Sequence, residues 1–358
     1  MYNFKNFYLN KKVLITGHTG FKGSWLTLWL YLLGAKVIGV SKDYPSIPSH
    51  FEKLRLNKKI ININLDITNF QKLNSIFRKH KPDIVFHLAA QSLVKKSYEI
   101  PNITFLTNTI GTLNVLECLR KLKKKCVSVI ITSDKSYKNL EIKRGYREDD
   151  LLGGKDPYSA SKAAAELVIQ SYINSYSKKS LKLKDIAIAR AGNVVGGGDW
   201  SENRLIPDCV KSWVKNKKVI IRNPHSTRPW QHVLEALRGY LILAISLSKN
   251  SKLNGEPFNF GPKKNQDKKV ISFLLEMKKN WKKVEWKIKK NKSSDFESKL
   301  LQLNSNKANK LLKWKPILQF SETAKMITSW YKDYYKNSLS TFQLSKMHIE
   351  EYSKKIND

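Results

Sequence analysis

The chain has 358 residues, with 66 Lys and Arg against 29 Asp and Glu, a formal net charge of +37. A chain of this length suits one large domain or two joined ones, and it buries about three quarters of its unfolded surface without needing disulfides or metals. Apolar residues at 41% and aromatics at 11% exclude a disordered or fibrous protein.

In chain order, residues 12–16 read as a strand, 17–23 as a loop and 24–33 as a buried helix stopped by Gly34. Residues 37–40 and 60–63 read as the next strands, the latter followed by a helix capped at Thr68. Residues 83–89 make a fourth strand, 103–122 a helix and 127–132 a fifth strand. Asp156 and Pro157 supply a cap and a first-turn proline for another helix, and 185–190 is a sixth strand. Near-continuous apolar strands alternating with helices imply a parallel sheet covered on both faces. The second half is less regular: a helix at 205–216, a strand at 218–222 and a long apolar-faced helix at 232–247. No internal repeat or Gly/Ser-rich linker is present, so the chain is expected to cross between two lobes more than once. The charged stretch 338–358 reads as a surface helix or a frayed tail.

The charge invites a nucleic-acid reading. The lysines, however, are scattered in short clusters such as 121–125 and 287–292, and no nucleic-acid motif accompanies them. They are read as a compositional bias toward Lys, Asn and Ile, with no nucleic-acid partner, whose field still favours an anionic substrate. Cys118, Cys126 and Cys209 have neither disulfide-framework nor zinc-ligand spacing. No metal is expected, and a reducing cytoplasm is the natural compartment. The N-terminus lacks a signal-peptide pattern and no apolar run is long enough to span a membrane, so no membrane association is expected.

Gly17, His18, Thr19, Gly20, Phe21, Lys22 and Gly23 join the first strand to a helix. Glycines there let the backbone turn tightly and approach a pyrophosphate, which the helix N-terminus faces with free N–H groups. The spacing is GxxGxxG, and in this strand–loop–helix context it predicts dinucleotide binding. An acidic residue ending the second strand normally holds the ribose of NAD. Asp43 is a candidate two positions late, whereas Ser41 and Lys42 favour a 2′-phosphate instead. Asp66 suits an adenine contact or a local cap. Leu88, Ala89 and Ala90 flank the nicotinamide-side ribose or simply pack in the core. The fold class expected is α/β, a Rossmann-type doubly wound parallel sheet with a smaller mixed α/β C-terminal substrate-binding lobe. Residues 1–190 and about 226–260 are assigned to the nucleotide-binding unit, about 191–225 and 261–335 to the lobe, and 336–358 to the tail.

Tyr158 and Lys162 stand i,i+4 near the start of a predicted helix, so phenol and ammonium share one face. An adjacent ammonium is expected to lower the phenol pKa and make it a base near neutral pH. With the glycine loop, this pattern resembles the extended branch of the short-chain dehydrogenase/reductase superfamily, in which Ser133 takes the place of the hydroxyl partner. Longer matches narrow the resemblance: residues 16–25 (TGHTGFKGSW), 132–137 (TSDKSY), 145–150 (GYREDD), 153–159 (GGKDPYS), 190–200 (RAGNVVGGGDW) and 222–233 (RNPHSTRPWQHV). Over about residues 8–335 the chain resembles the CDP-glucose 4,6-dehydratases of the NAD-dependent epimerase/dehydratase family. Ser136, where a cysteine is common, is a small departure.

The resemblance implies an internal redox cycle on CDP-glucose that serves deoxysugar and surface-polysaccharide synthesis. Tyr158 takes the C4 hydroxyl proton as hydride passes to NAD⁺, water is lost across C5 and C6, and the hydride returns to C6. Because the cycle restores its cofactor, NAD is expected despite Lys42. Related dehydratases carry an Asp-Glu pair after the fifth strand, and here the pair is Asp134 and Lys135. Asp134 is the candidate acid; Lys135 is either the C5 base or a cation stabilising the enolate. Arg204, Arg222 and Arg228 are candidates for the diphosphate, since guanidinium forks match phosphate oxygens. Asn193 and His232 are weaker candidates, with a turn role and a helix-cap role as their alternatives. Trp200 and Trp230 either flank the base or fill the lobe interface. A homodimer or homotetramer is implied.

Overall fold

The computed structural model describes residues 2–177, 185–221, 223–263, 267–288 and 301–357. Its first half runs α1 (Phe4–Tyr8), β1 (Lys12–Thr16), α2 (Phe21–Leu32), β2 (Lys36–Ser41), α3 (His50–Lys53), β3 (Ile61–Asn64) and α4 (Phe70–His80). Then come β4 (Ile84–His87), α5 (Val94–Glu99), α6 (Pro101–Phe105), α7 (Gly111–Lys121), β5 (Val127–Ile131), α8 (Pro157–Tyr176) and β6 (Ile186–Arg190). The second half opens with β7 (Val194–Val195), α9 (Leu205–Trp213), β8 (Val219–Ile221), β9 (Thr227–Pro229), β10 (Gln231–His232) and α10 (Val233–Lys249). It closes with β11 (Pro257–Asn259), β12 (Asp267–Lys269), α11 (Val270–Asn280), β13 (Trp286–Ile288), α12 (Asn306–Leu312), α13 (Phe320–Lys336) and α14 (Thr341–Asn357).

Seven strands form one sheet in the order β11-β6-β5-β4-β1-β2-β3. Every pairing in it is parallel. The doubly wound architecture follows from burial: β4, β5 and β6 are buried at every residue, as strands covered on both faces must be. Alternation divides the side chains between two layers. Val13 and Ile15 pack with α2 and α10, while Leu14 packs with α4, α7 and α8. The strand order reverses between β1 and β4, and ligands of such sheets bind in the crevice beyond the strand ends at that point. No helix among the described residues is long and apolar enough to cross a membrane.

Local details differ from the sequence reading in instructive ways. Helix α2 starts at Phe21, earlier than expected, because the turn closes at once through Gly20 N–H to the Gly17 carbonyl at 3.1 Å. Helix α4 is capped by Asn69, whose side chain accepts from the Lys72 N–H; the Thr68 hydroxyl instead donates to Asp66 at 2.8 Å. The helix expected over 103–122 begins at Pro101 and passes through a π-helical turn, Leu106–Ile110, before α7. That turn brings Asn108 inward, where its amide donates to Ser161 of α8 at 2.8 Å and to the Gln91 carbonyl at 3.1 Å. After α10 the chain returns to the sheet, where β11 pairs with β6.

The C-terminal stretch is a helix rather than a frayed tail, and one face of it is docked. Leu344, Ile349 and Tyr352 of α14 are buried. The Tyr352 hydroxyl donates to the buried Glu235 carboxylate at 2.8 Å and accepts from Arg238 at 3.0 Å. Glu235 also accepts from the N–H groups of Ile317 and Leu318, at 2.7 and 2.6 Å. Removing the hydroxyl leaves a buried charge short of a donor, a loss worth about 1–3 kcal/mol. Tyr352→Phe is therefore expected to lower the unfolding free energy by that amount, read as a lower denaturant midpoint at an unchanged m value; an unmoved midpoint would mean α14 is not docked in solution.

Candidate active site

The glycine loop lies at the sheet's switch point. Gly17 has φ +76° and donates to the Val40 carbonyl at 2.8 Å. A Cβ there would lie 2.6 Å from the Ala89 nitrogen, and one at Gly23 would overlap the Gly17 carbonyl. Side chains are thus excluded from the cradle, and Gly20 caps α2 without any side-chain acceptor. The first amides of α2 therefore point outward with a positive dipole, an arrangement that fits a pyrophosphate. His18 turns away from this face: its ring hydrogen-bonds with Ser41 at 3.0 Å and Asn62 at 2.7 Å in the interior. Thr19 donates through its amide to the Ser41 hydroxyl and through its hydroxyl to the Asp43 carbonyl. Phe21 packs toward the turn at Gly196.

Asp43 is exposed, and only its carbonyl is engaged by the loop. Asp66 accepts from the Thr68 amide and hydroxyl and pairs with Lys42 at 3.1 Å. Lys42 is thereby held by a carboxylate. Leu88 and Ala89 follow β4 half-buried and donate through their amides to Thr16; Ala90 follows them, half-buried too.

Beyond β5, Ser133 caps a single 3₁₀ turn, Asp134–Ser136. Its hydroxyl donates to Asp134 Oδ1 at 3.0 Å and accepts from the Lys135 amide at 3.2 Å. Asp134 is buried, and its carboxylate lies directly over Gly192, the residue after Ala191 at the end of β6. Lys135 is half-buried, and its ammonium has no ion-pair partner among the described residues. Asp156 caps α8 through the Ser159 amide at 3.0 Å. This start sets Tyr158 and Lys162 on the buried side of the helix.

Electrostatics here differ from the sequence expectation. Burial pushes the Tyr158 phenol up to about 12; a hydrogen bond with Ser133 and the Arg204 charge oppose this, and Asp134 reinforces it. Lys162 does not supply the lowering charge. Its Nζ donates to the Ile131 carbonyl at 3.4 Å, and burial together with Lys22 pushes it down to about 7. Lys22 of the glycine loop is itself lowered to about 8 by burial and Arg204, against the pull of Asp134. Lys22, Asp134, Tyr158, Lys162 and Arg204 thus form one electrostatic cluster.

The remaining candidates divide. Arg204 belongs to this cluster and is held by Asp199 at 2.9 Å. Asn193 has φ +46°, and its buried Nδ2 has no partner among the described residues. Arg228 lies on β9, with Nη1 donating to the Thr227 carbonyl. Arg222 falls outside the described residues. His232 is buried and caps α10, accepting from the Leu234 amide, with its imidazole held down at about 3 by burial. Trp200 packs among Trp330, Tyr331 and Tyr334, and Trp230 stacks on Phe273 at 4.3 Å, so both fill the interior.

The sequence reading missed two contributors. Gly192 stands inside the 190–200 motif, and nothing local announces that a carboxylate lies on it. Glu166, one turn after Lys162, is the buried acceptor for Thr132 at 2.6 Å and Ser136 at 2.9 Å, on either side of Ser133, Asp134 and Lys135. A crystal structure of Gly192→Ala is expected to show Asp134 swung away and its contact with Ser133 broken, because the new methyl group overlaps the carboxylate. An unmoved Asp134 would mean that the backbone yields instead.

Residues 14–327 match the model of the GDP-mannose 4,6 dehydratase family. The chain is 43% identical to the CDP-glucose 4,6-dehydratase of Salmonella typhimurium over 352 residues, covering 97% of this chain and 98% of that one. Among solved structures, an epimerase from Methanothermobacter thermautotrophicus superposes with a TM-score of 0.78 at 25% identity, over 93% of this chain and 95% of the other. The dTDP-glucose 4,6-dehydratase of Bacillus anthracis, determined with NAD, gives 0.75 at 21% identity, over 91% and 98%, and so shares the fold. A family match across the glycine loop, the Ser133–Lys135 turn and the Tyr158/Lys162 helix accounts for the geometry above: the chain belongs to the GDP-mannose 4,6 dehydratase family.

Proposed function

We propose that the protein is a lyase that converts CDP-glucose to CDP-4-keto-6-deoxyglucose and water, with NAD as a cofactor consumed and restored in each turnover. The observation that carries the reading is that Asp134 lies in one cluster with Tyr158, on a turn that also carries Ser133 and Lys135. A plain dehydrogenase or 4-epimerase has no need of an acid and a cation there. The full-length likeness to a CDP-glucose 4,6-dehydratase supports the substrate.

The loop from Gly17 to Gly23, with Ala89 against it, fits the pyrophosphate of NAD. Asp66, Leu88 and Ala90 lie along the rest of the crevice, and the pairing of Lys42 with Asp66 favours NAD over a 2′-phosphorylated cofactor. Bound NAD supplies the acceptor for the C4 hydride and the donor that returns it to C6. The residues of the chain handle the protons. Tyr158 takes the proton of the C4 hydroxyl; its raised pKa in the free chain means that neighbouring positive charge must lower it, and Arg204 is the cation that already acts in that direction. Once C4 is a ketone, the C5 proton is acidic. Lys135 accepts it or steadies the resulting enolate, and Asp134 protonates the departing C6 hydroxyl. Arg204, Arg228 and Asn193 hold the nucleotide diphosphate and sugar, and Arg222 is assigned the same role from sequence alone.

Residues 1–190 with about 226–260 form the nucleotide-binding unit in this reading, and about 191–225 with 261–335 the substrate lobe. The high positive charge draws the anionic substrate toward the crevice. The protein acts in the cytoplasm as a homodimer or a homotetramer of such pairs. Ile103, Leu106, Ile110 and Leu167 support this, as exposed apolar side chains on adjoining helical segments around α6 and α8. Sedimentation is expected to give a dimer or larger species that Leu106→Asp with Leu167→Asp converts to monomer; an unaltered assembly would put the interface elsewhere.

Incubation with CDP-glucose and catalytic NAD is expected to yield a product with the alkaline absorbance of a 4-keto-6-deoxy sugar, without net cofactor reduction. A higher kcat/KM with dTDP-glucose or GDP-mannose would overturn the substrate. Asp134→Asn and Lys135→Ala should each slow dehydration by roughly 10²- to 10⁴-fold, the usual worth of acid–base help, while leaving C4 oxidation intact. Exchange of the C5 proton with deuterated solvent should persist in Asp134→Asn and nearly stop in Lys135→Ala. Wild-type exchange in the latter would remove Lys135 as the base.

A further inference from the structure

Tyr240 is a buried hydroxyl that the chemistry above leaves unused. It lies on α10, fully buried, with its ring edge-on to Phe260 at a centroid distance of 5.8 Å. Its hydroxyl has no hydrogen-bond partner among the described residues. Buried phenols ordinarily find one, so an orphaned hydroxyl in a well-packed core calls for an explanation.

Its position supplies one. Helix α10 packs against β5 and β6, and β10, which leads into it, pairs with β7 just beyond Gly192. Side chains on a helix lean toward its N-terminus. Tyr240 therefore leans toward the strand ends that carry Ser133 and Asp134 on one side and Gly192 on the other. It lies within electrostatic reach of both Asp134 and Tyr158. The groups facing Asp134 are thus Lys22 from α2, Tyr158 from α8 and Tyr240 from α10, with Ser133 already donating to its Oδ1. Lys22 belongs to the phosphate loop and Tyr158 to the C4 step. Tyr240 alone is without a task.

We propose that Tyr240 is a positioning residue for the elimination step, its hydroxyl donating a hydrogen bond to the Asp134 carboxylate as that group becomes ionised. In that step the Asp134 proton passes to the C6 oxygen and the C6–O bond breaks to release water. The electron pair of the C5–H bond becomes the new C5–C6 double bond, and the C5 proton goes to the base. Tyr240 keeps its own proton throughout. Catalytic hydrogen bonds that are open in the free enzyme commonly close only in the reacting complex. The inference rests on the reading of Asp134 as the acid.

Tyr240→Phe removes the hydroxyl and keeps the ring. In single turnover, dehydration is expected to slow roughly ten- to a hundredfold, the range for a hydrogen bond to a charged group, while C4 oxidation keeps its rate. Loss of a donor to an ionised carboxylate favours the protonated form. The alkaline limb of dehydration should then move to higher pH. In an Asp134→Asn background the same change should cost nothing more. If Asp134→Asn itself dehydrates at the wild-type rate, the acid assignment fails. If Asp134→Asn stalls but Tyr240→Phe dehydrates normally with an unmoved alkaline limb, or slows both steps equally, Tyr240 has no such role.

Discussion

The active-site turn hangs on a buried ion pair. Arg190, ending β6, meets Glu166 of α8 at 2.5 Å with both side chains almost wholly buried. Two charges taken out of water are tolerable only when their remaining hydrogen-bonding capacity is met, and breaking such a pair costs about 3–5 kcal/mol. Here the remaining capacity is met by the segment that follows β5. Thr132 and Ser136 donate to Glu166, and Arg190 donates to the Tyr137 hydroxyl and the Glu148 carbonyl. Tyr137 donates in turn to Asn259 of β11, the strand added last to the sheet. The residues flanking Ser133, Asp134 and Lys135 are therefore fixed from both sides, and Ser136 owes its place to this network.

That rigidity gives the cluster above it its character. Lys22, Lys162 and Arg204 gather near Asp134 and Tyr158; burial first, and then mutual repulsion, lowers the affinity of the two lysines for protons, while burial outweighs the Arg204 charge and leaves the phenol protonated. The arrangement is short of negative charge in the free chain. A substrate carrying a diphosphate brings what it lacks, which ties substrate binding to the proton balance of the reacting groups.

Much of this was legible in the sequence, because it depended on local pattern. Runs such as residues 127–132 are apolar throughout, so buried parallel strands could be read directly. The glycine loop and the Tyr158–Lys162 spacing carry their geometry in their spacing. What escaped depended on partners distant in the chain. Thr68 and Asn69 are equally good caps in isolation, and Asp66 decides between them. Nothing near Gly192 indicates that Asp134 lies upon it. Lys162 stands i,i+4 from Tyr158, yet its ammonium turns to the end of β5. Helix α14 looked like a tail because its buried residues are few and diluted by lysines, and only Glu235, Arg238 and His50 reveal where it docks.

The docking of α14 bears on how the protein is made. Ser345 of this helix hydrogen-bonds with His50, which hydrogen-bonds in turn with Ser24, in the first turns of the helix that opens from the glycine loop. The packing around the nucleotide crevice is thus completed by residues synthesised some three hundred positions later. During vectorial synthesis the surfaces of α2 and α3 that α14 covers stay open until residues 341–357 have left the ribosome. Over that interval the nascent chain presents apolar surface that its finished form conceals, which makes it a natural client for chaperones that bind exposed hydrophobic segments.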